Sequence, residues 1–241
     1  MSVSTPLIDR FRTWIRFSDD GAEMVDRTLQ STTAATNIAI QVMQHQGKGV
    51  ALPTRIRDGV SDAGAVVSLS RLTWAIGGFF SGSAFIQTNP DGSLKVDKGH
   101  YVWNSFALIT LKVALFVGRA LNLTNWLNSK NAYQLDTKHT QRIDHATSAA
   151  FTLVSACGLY LAAKDAMQVP SSTELTAGRI TIGQYNRRAF MDMTRNGFDL
   201  LSSVFDIAKS SSYGCGVASA VLSLGSGLSS LAYECAWHQP Q

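Results

Sequence analysis

Charge is scarce in this sequence. Asp, Glu, Lys and Arg make up 16% of the 241 residues, whereas a soluble domain carries about a quarter. Because water-facing surface is normally charged, the deficit indicates that part of the surface does not face water. The net charge of +4 and the pI of about 9.1 favour a mild attraction to anionic surfaces. Nucleic acid is not expected, since the sequence has no basic-aromatic stripe, zinc-finger spacing or Lys-rich tail.

Cysteine is also rare. Cys157, Cys215 and Cys235 all lie in apolar stretches and form no close pair. This arrangement favours reduced, buried thiols over a disulfide framework. The N-terminal region carries Asp9 and several Arg where a secretory signal peptide has an uninterrupted apolar core. Secretion by that route is therefore not expected.

Catalytic motifs are missing as well. The sequence has no glycine-rich phosphate loop, HExxH motif, nucleophile elbow or close cysteine pair. His139 and His145 lie near Asp136 and Asp144, which admits a metal site, but their spacing matches no common ligand set. A solvated polar loop is the favoured interpretation. We expect no enzyme activity, no metal and no cofactor.

The sequence does contain amphipathic helical patterns, and the first begins at Thr5-Pro6, a good helix start. Its apolar face comprises Leu7, Ile8, Phe11, Trp14 and Ile15, and its polar face Asp9, Arg10, Arg12 and Arg16. We predict a break at 18–20 and a second helix from Asp20 to about His45. A third helix is predicted over Thr54 to about Trp74, with Ile56, Val60, Ala63, Val67 and Trp74 on one face.

The middle of the chain predicts a turn at Asn89-Pro-Asp-Gly92 and an apolar helix from His100 to about Leu127. Lys112 and Arg119 are seven residues apart in this helix and so share a face, which favours a packed amphipathic helix over a membrane span. Residues 122–139 are polar and predict a loop or frayed helix. No strand pattern of any length is present.

Two uncharged stretches follow. Residues 146–163 are 18 residues long, which suits either a short membrane span or a buried core helix. After a linker at 169–173 and an amphipathic helix from Tyr185 to Lys209, residues 210–233 form a 24-residue uncharged, Gly- and Ser-rich run. This run is the best spanning candidate. The fold is predicted to be all-α, with one or two membrane segments in the C-terminal half.

The helices group into three regions. Residues 1–89 form an N-terminal amphipathic region, 90–170 a central helical region, and 171–241 a C-terminal helix followed by the apolar segment.

Three motifs in this order resemble signatures of the peroxisomal membrane protein 11 family, whose members elongate and proliferate peroxisomes. The first is Trp14-Ile-Arg-Phe-Ser18, and the second is Leu69-Ser-Arg71 leading into Trp74-Ala-Ile-Gly77. The third is Met191-Asp-Met-Thr-Arg-Asn-Gly-Phe-Asp-Leu200, which precedes a Gly-rich apolar segment at 213–233. The order and spacing of these motifs resemble the family over nearly the whole chain.

The resemblance implies a peroxisomal membrane location, or alternatively another intracellular membrane. It implies that the helix from about Thr54 to Gly78 inserts into the cytosolic leaflet through a membrane-inserting face of Ile56, Val60, Val67 and Trp74. It also implies self-association and recruitment of dynamin-type fission machinery. The family-motif helix, with Asp192, Arg195, Asn196, Asp199 and Leu200, is expected to pack internally or in an oligomer. Arg195 has acidic neighbours at helical spacing, which favours a structural ion-pair network.

Two other functions remain open. A membrane channel for small metabolites would have Lys112, Arg119 and the Ser- and Gly-rich helices along its path. A soluble helical interaction module or effector is consistent with a mean hydropathy of only +0.04.

Overall fold

In the computed structural model, the described residues are 6–89, 91–167, 182–208 and 213–237, with side chains described for 25–89, 91–167, 185–187, 189–207 and 214–231. Within these ranges the chain forms six helices and two short strands. The helices are α1 (Pro6–His45), α2 (Ala51–Phe80), α3 (Phe106–Ser129), α4 (Thr137–Met167), α5 (Ile182–Ala208) and α6 (Tyr213–Trp237). The strands are β1 (Val96–Asp97) and β2 (His100–Tyr101). The prediction of an all-α fold is confirmed.

The helices form a closed ring. Each helix packs against the next one in the sequence, and α6 returns to pack against α1. Neighbouring helices run antiparallel: along the α1–α6 contact, for example, Gln41 lies against Gly216 and Ser31 against Gly227. The chain therefore alternates in direction around the ring, with the α1–α2 and α3–α4 connections at one end and the α2–α3 connection at the other.

Small residues are buried where the helices of the ring pack against each other. The buried side chains of the described helices belong almost entirely to alanine and serine, and the two largest that are fully buried are Ser226 and Ser230. Small residues let helix backbones approach closely, which is how helices associate in lipid, where no hydrophobic force drives large side chains inward. A soluble bundle of this length would bury Leu, Ile and Phe instead.

The large apolar residues lie on the outside. Those more than 45% exposed on the helices include Leu52, Val66, Leu69, Trp74, Phe80, Phe106, Leu153, Phe190, Leu201, Val204, Val221 and Leu228. In the described part of the chain, four helical segments are long and apolar enough to cross a membrane: 51–80, 106–129, 137–167 and 214–231. Two of them lie in the C-terminal half, as expected, and α2 and α3 add two more.

Several predicted boundaries differ from the observed ones. Helix α1 continues through residues 18–20, where a break was predicted. Helix α3 begins at Phe106 rather than at His100, because the Ser105 hydroxyl caps it by accepting a hydrogen bond from the Leu108 amide at 3.3 Å. The predicted linker at 169–173, the side chains of residues 6–24, and that of Cys235 lie outside the described residues.

Helix α4 begins at Thr137 and α3 extends to Ser129, although the sequence predicted a loop or frayed helix over residues 122–139. The Asp136 carboxylate caps the helix by accepting a hydrogen bond from the His139 amide at 2.7 Å. This backbone hydrogen bond, and then one from the His139 imidazole, lowers the pKa of Asp136. A capped first turn makes the polar segment helical.

A small β-hairpin joins α2 to α3, where no strand was predicted. Val96 pairs with Tyr101 and Asp97 with His100, in antiparallel register. The turn is closed by Lys98 and Gly99, which both have positive φ, 48° and 81°. Strands of two residues are too short to give a period-two pattern, which is why the sequence did not reveal them.

Close contact between α1 and α6 depends on Gly227. A Cβ at this position would overlap the Ser31 hydroxyl and lie 3.4 Å from the Arg27 carbonyl oxygen. Ser31 is buried, and its hydroxyl already donates to that carbonyl at 2.9 Å. We expect Gly227→Ala to lower the free energy of unfolding by about 1–3 kcal/mol, measured by chemical unfolding in detergent micelles.

Gly197→Ala is the matched control, because a Cβ there meets nothing within 4 Å. It should leave stability unchanged or raise it by up to about 1 kcal/mol, since alanine is the better helix former. Equal destabilisation by both substitutions would contradict a close α1–α6 contact at Gly227.

Candidate membrane-facing surface and polar cavity

Ion pairs join α1 both to its neighbour α2 and to α5, which is not its neighbour in the ring. Consecutive residues of α1 bind different partners: Asp26 pairs with Arg71 of α2 at 2.6 Å, and Arg27 pairs with Asp199 of α5 at 3.3 Å. Consecutive residues on a helix point about 100° apart, so one turn of α1 can contact helices on two sides. These charges are placed away from the apolar outer surface, where an unpaired charge in hydrocarbon is costly.

The α2–α3 contact carries a similar polar anchor. Asp62 pairs with Lys130 at 2.7 Å and accepts a hydrogen bond from the Trp126 indole at 3.0 Å. One donor on α3, Trp126, and one directly after its last residue, Lys130, thus satisfy a single carboxylate of α2.

The predicted family-motif helix is α5, and its polar residues face inward. Arg195 pairs with Asp192 at 3.7 Å, and the Asn196 amide donates to the Asp192 carbonyl at 2.8 Å. Asp199 instead contacts α1, where Arg27 and the Gln30 amide both reach its carboxylate. Asn196 also lies directly against Gly158 of α4, and Leu200 is half-buried. Arg27 and Gln30 were not predicted, because nothing in the sequence indicates which helix lies beside α5.

The predicted membrane-inserting face on α2 is divided between two environments. Ile56 and Trp74 are 43% and 47% exposed on the outside of the ring. Val67 is half-buried, and Val60 is in the wall of a cavity that lies between the helices and is partly open to the outside.

This cavity, with a volume of about 450 Å³, is lined by residues of α1, α2, α3, α5 and α6. Helix α1 contributes a polar stripe at helical spacing, consisting of Asp26, Gln30, Thr33, Asn37 and Gln41. The other walls add the polar residues Ser61, Ser68, Asn122, Asp206, Ser219 and Ser223.

The charge of the cavity wall has one sign. Its lining includes Asp26 and Asp206 but no Lys or Arg among the described residues. Lys112 and Arg119, which the channel hypothesis placed along a path, are not in this wall. The Lys112 ammonium donates to the Ser83 carbonyl at 2.8 Å beside the hairpin, and Arg119 is buried in α3.

Aromatic side chains cluster where α2 ends and α3 begins. Phe80, Tyr101, Trp103 and Phe106 are all more than half exposed. Aromatic residues are enriched where membrane proteins cross from hydrocarbon to headgroups. The cluster is consistent with a membrane boundary at this end of α2 and α3.

The residues that the sequence suggested for a possible metal site form other contacts. His139 and Asp136 form the cap of α4, with 2.8 Å between the imidazole Nδ1 and the carboxylate. Asp144 accepts a hydrogen bond from the Asn125 amide of α3 at 2.6 Å.

Comparison with known proteins finds no matching family model, no matching curated protein and no matching solved structure. A function for this chain must therefore be argued from its own residues.

The Arg27–Asp199 pair should contribute measurably to the stability of the ring, because both side chains are less than 20% exposed. We expect Arg27→Gln and Asp199→Asn each to cost about 3 kcal/mol, since each leaves a buried charge without this partner. The double variant should cost less than the sum by about 1 kcal/mol or more. Chemical unfolding in detergent micelles gives all three values.

The exposed Arg57–Asp58 pair is the control. A double-mutant cycle on this pair should give a coupling energy near zero, because solvent screens exposed ion pairs. A coupling for Arg27–Asp199 no larger than the control value would contradict a structural role for the buried pair.

Proposed function

We propose that this protein is an integral protein of the peroxisomal membrane that elongates the membrane and assembles with copies of itself. The observation that carries the proposal is the inverted amphipathicity of the ring. Alanine, serine and paired charges lie inside, while Leu, Val, Ile and Phe side chains lie outside. An outer surface of this composition is favourable in lipid and unfavourable in water.

Helix α1 is suited to a role in bending. Its 40 residues give a length of about 60 Å, about twice the hydrocarbon thickness of a bilayer. Its polar contacts to α2 and α5 and its close packing against α6 involve residues 26–41. The sequence of its first part, 6–20, has one apolar face and one basic face. A basic amphipathic helix inserts its apolar face at the headgroup level and spreads one leaflet.

The choice of membrane and the recruitment of dynamin-type fission machinery rest on the three motifs that resemble the peroxisomal membrane protein 11 family. A structural role for the third motif is supported by the contacts of Asn196 with α4 and of Asp199 with α1, and by the Asp192–Arg195 pair within α5. The outer apolar surface leaves room for self-association in the membrane.

We expect the apolar face of the first part of α1 to be needed for bending. Purified protein should float with vesicles of phosphatidylcholine and phosphatidylserine and convert them to tubules seen by electron microscopy. The double variant Phe11→Glu/Ile15→Glu should still float, because α2, α3, α4 and α6 are unchanged, but should leave the vesicles spherical.

Thr13→Glu adds the same type of charge on the opposite face of α1 and is the matched control. It should form tubules as the unmodified protein does. Smooth spheres with the unmodified protein would reject membrane bending, and release of the protein from membranes by carbonate would reject membrane insertion altogether.

A membrane channel for small polar solutes is a second candidate function, favoured by the polar cavity inside the ring. Its acidic lining predicts cation preference over anion. In planar bilayers under a potassium chloride gradient, we expect the reversal potential to lie closer to the equilibrium potential of potassium than to that of chloride. Asn37→Lys should move it toward zero, because it places a positive charge in the wall.

Gln44→Lys is the control, since Gln44 is exposed and is not part of the cavity wall. It should leave the reversal potential unchanged. Absence of any conductance would reject the channel without affecting the proposal of membrane bending.

A further inference from the structure

We propose that the internal cavity is a binding site for a small, neutral, polyhydroxylated molecule. This inference goes beyond membrane bending, and binding at the cavity does not require that the molecule cross the membrane. It rests on the hydrogen-bonding groups of the wall, on their charge and on the volume they enclose.

The hydrogen-bonding groups of the wall both donate and accept. Asn37, Gln41 and Asn122 supply amides, and the hydroxyls come from Thr33, Ser61, Ser68, Ser219 and Ser223. An amide presents a donor and an acceptor side by side, and a hydroxyl is both at once. A polyol presents the same dual groups along its whole length, whereas phosphate or carboxylate presents acceptors alone.

Part of this capacity is open to a ligand. The side chains of Asn37, Ser61, Ser68 and Asn122 make no hydrogen bond with the described part of the chain. They belong to α1, α2 and α3, and thus to three different walls. The hydroxyls of Ser219 and Ser223, by contrast, already contact the Ser202 hydroxyl of α5. A ligand is therefore expected to bind nearer α1, α2 and α3 than α6.

The charges of the wall disfavour an anionic ligand but do not require a cationic one. Asp26 is compensated by Arg71 at 2.6 Å, and Asp206 accepts a hydrogen bond from the Ser148 hydroxyl at 3.4 Å. The described lining residues include two carboxylates and no Lys or Arg, so an anionic ligand would find no cationic side chain in the wall to bind it. A neutral ligand needs no such cationic partner.

The volume of about 450 Å³ corresponds to roughly 15 water molecules at their share of liquid volume. Such a space admits a polyol of about three to six carbons, and it lies within the range of small-molecule sites. Hydroxyls of the ligand would replace waters that the polar wall otherwise binds.

Saturation-transfer difference NMR on the full chain in nanodiscs tests this inference, with sorbitol as the probe and succinate as the anionic comparison. We expect a saturable sorbitol signal and none from succinate. Asn37→Leu and Asn122→Leu should each weaken sorbitol binding about tenfold, the effect of about 1.4 kcal/mol from lost hydrogen bonding. Asn122 is exposed, so its substitution keeps the test valid if Asn37→Leu fails to fold.

Ala35→Leu is the matched control, because Ala35 is exposed on α1 and is not in the wall. It should bind sorbitol as the unmodified protein does. Equal sorbitol signals from all variants, a stronger signal from succinate, or binding only of a glucosyl lipid added to the nanodisc would each overturn the proposal. Vesicle tubulation by the same variants is measured in parallel, so that loss of binding and loss of bending are told apart.

Discussion

The structure depends on one constraint: polar side chains must find partners inside the ring because the outside is apolar. Asp26, Arg27 and Asp199 meet this constraint through ion pairs between helices. The helices can approach closely enough for such pairs only where small residues meet, as Gly227 does with Ser31. Ion pairs and small-residue contacts thus occur on the same helix, α1, and both hold it against its partners.

The cavity follows from the same constraint. A ring of six helices has a central space, and inward-facing large apolar residues would fill it. Here the large residues are turned outward, and the inward positions of α1 carry Asn37, Thr33 and Gln41, whose polar ends are best satisfied by water or a polar ligand. A polar cavity inside the ring is thus the counterpart of an apolar exterior.

Helical periodicity predicted the type of most elements but not their orientation. The patterns over Thr54–Trp74 and Tyr185–Lys209 correspond to α2 and α5, and the uncharged run at 210–233 to α6. Periodicity identifies two faces of a helix without saying which one faces lipid, so the face containing Val60 was assigned wholly to the membrane. The polar stripe of α1 follows the spacing i, i+4 and i+7, which is visible in the sequence. The other walls of the cavity come from segments that are distant in the sequence, so periodicity could not predict the cavity. The short hairpin and the Asp136 cap were missed because they depend on single residues.

The two surfaces of the ring make different functions separable. The proposed membrane function uses outward residues such as Trp74 and Phe190, and the proposed solute binding uses inward residues such as Asn37 and Ser68. Because α2 carries Trp74 on one face and Ser68 on another, this helix contributes different side chains to the outer surface and to the cavity. A substitution on one face changes the free energy of lipid contact or of cavity hydration, but not both. Bending and binding can therefore coexist in one chain of this size, since they use opposite faces of the same helices.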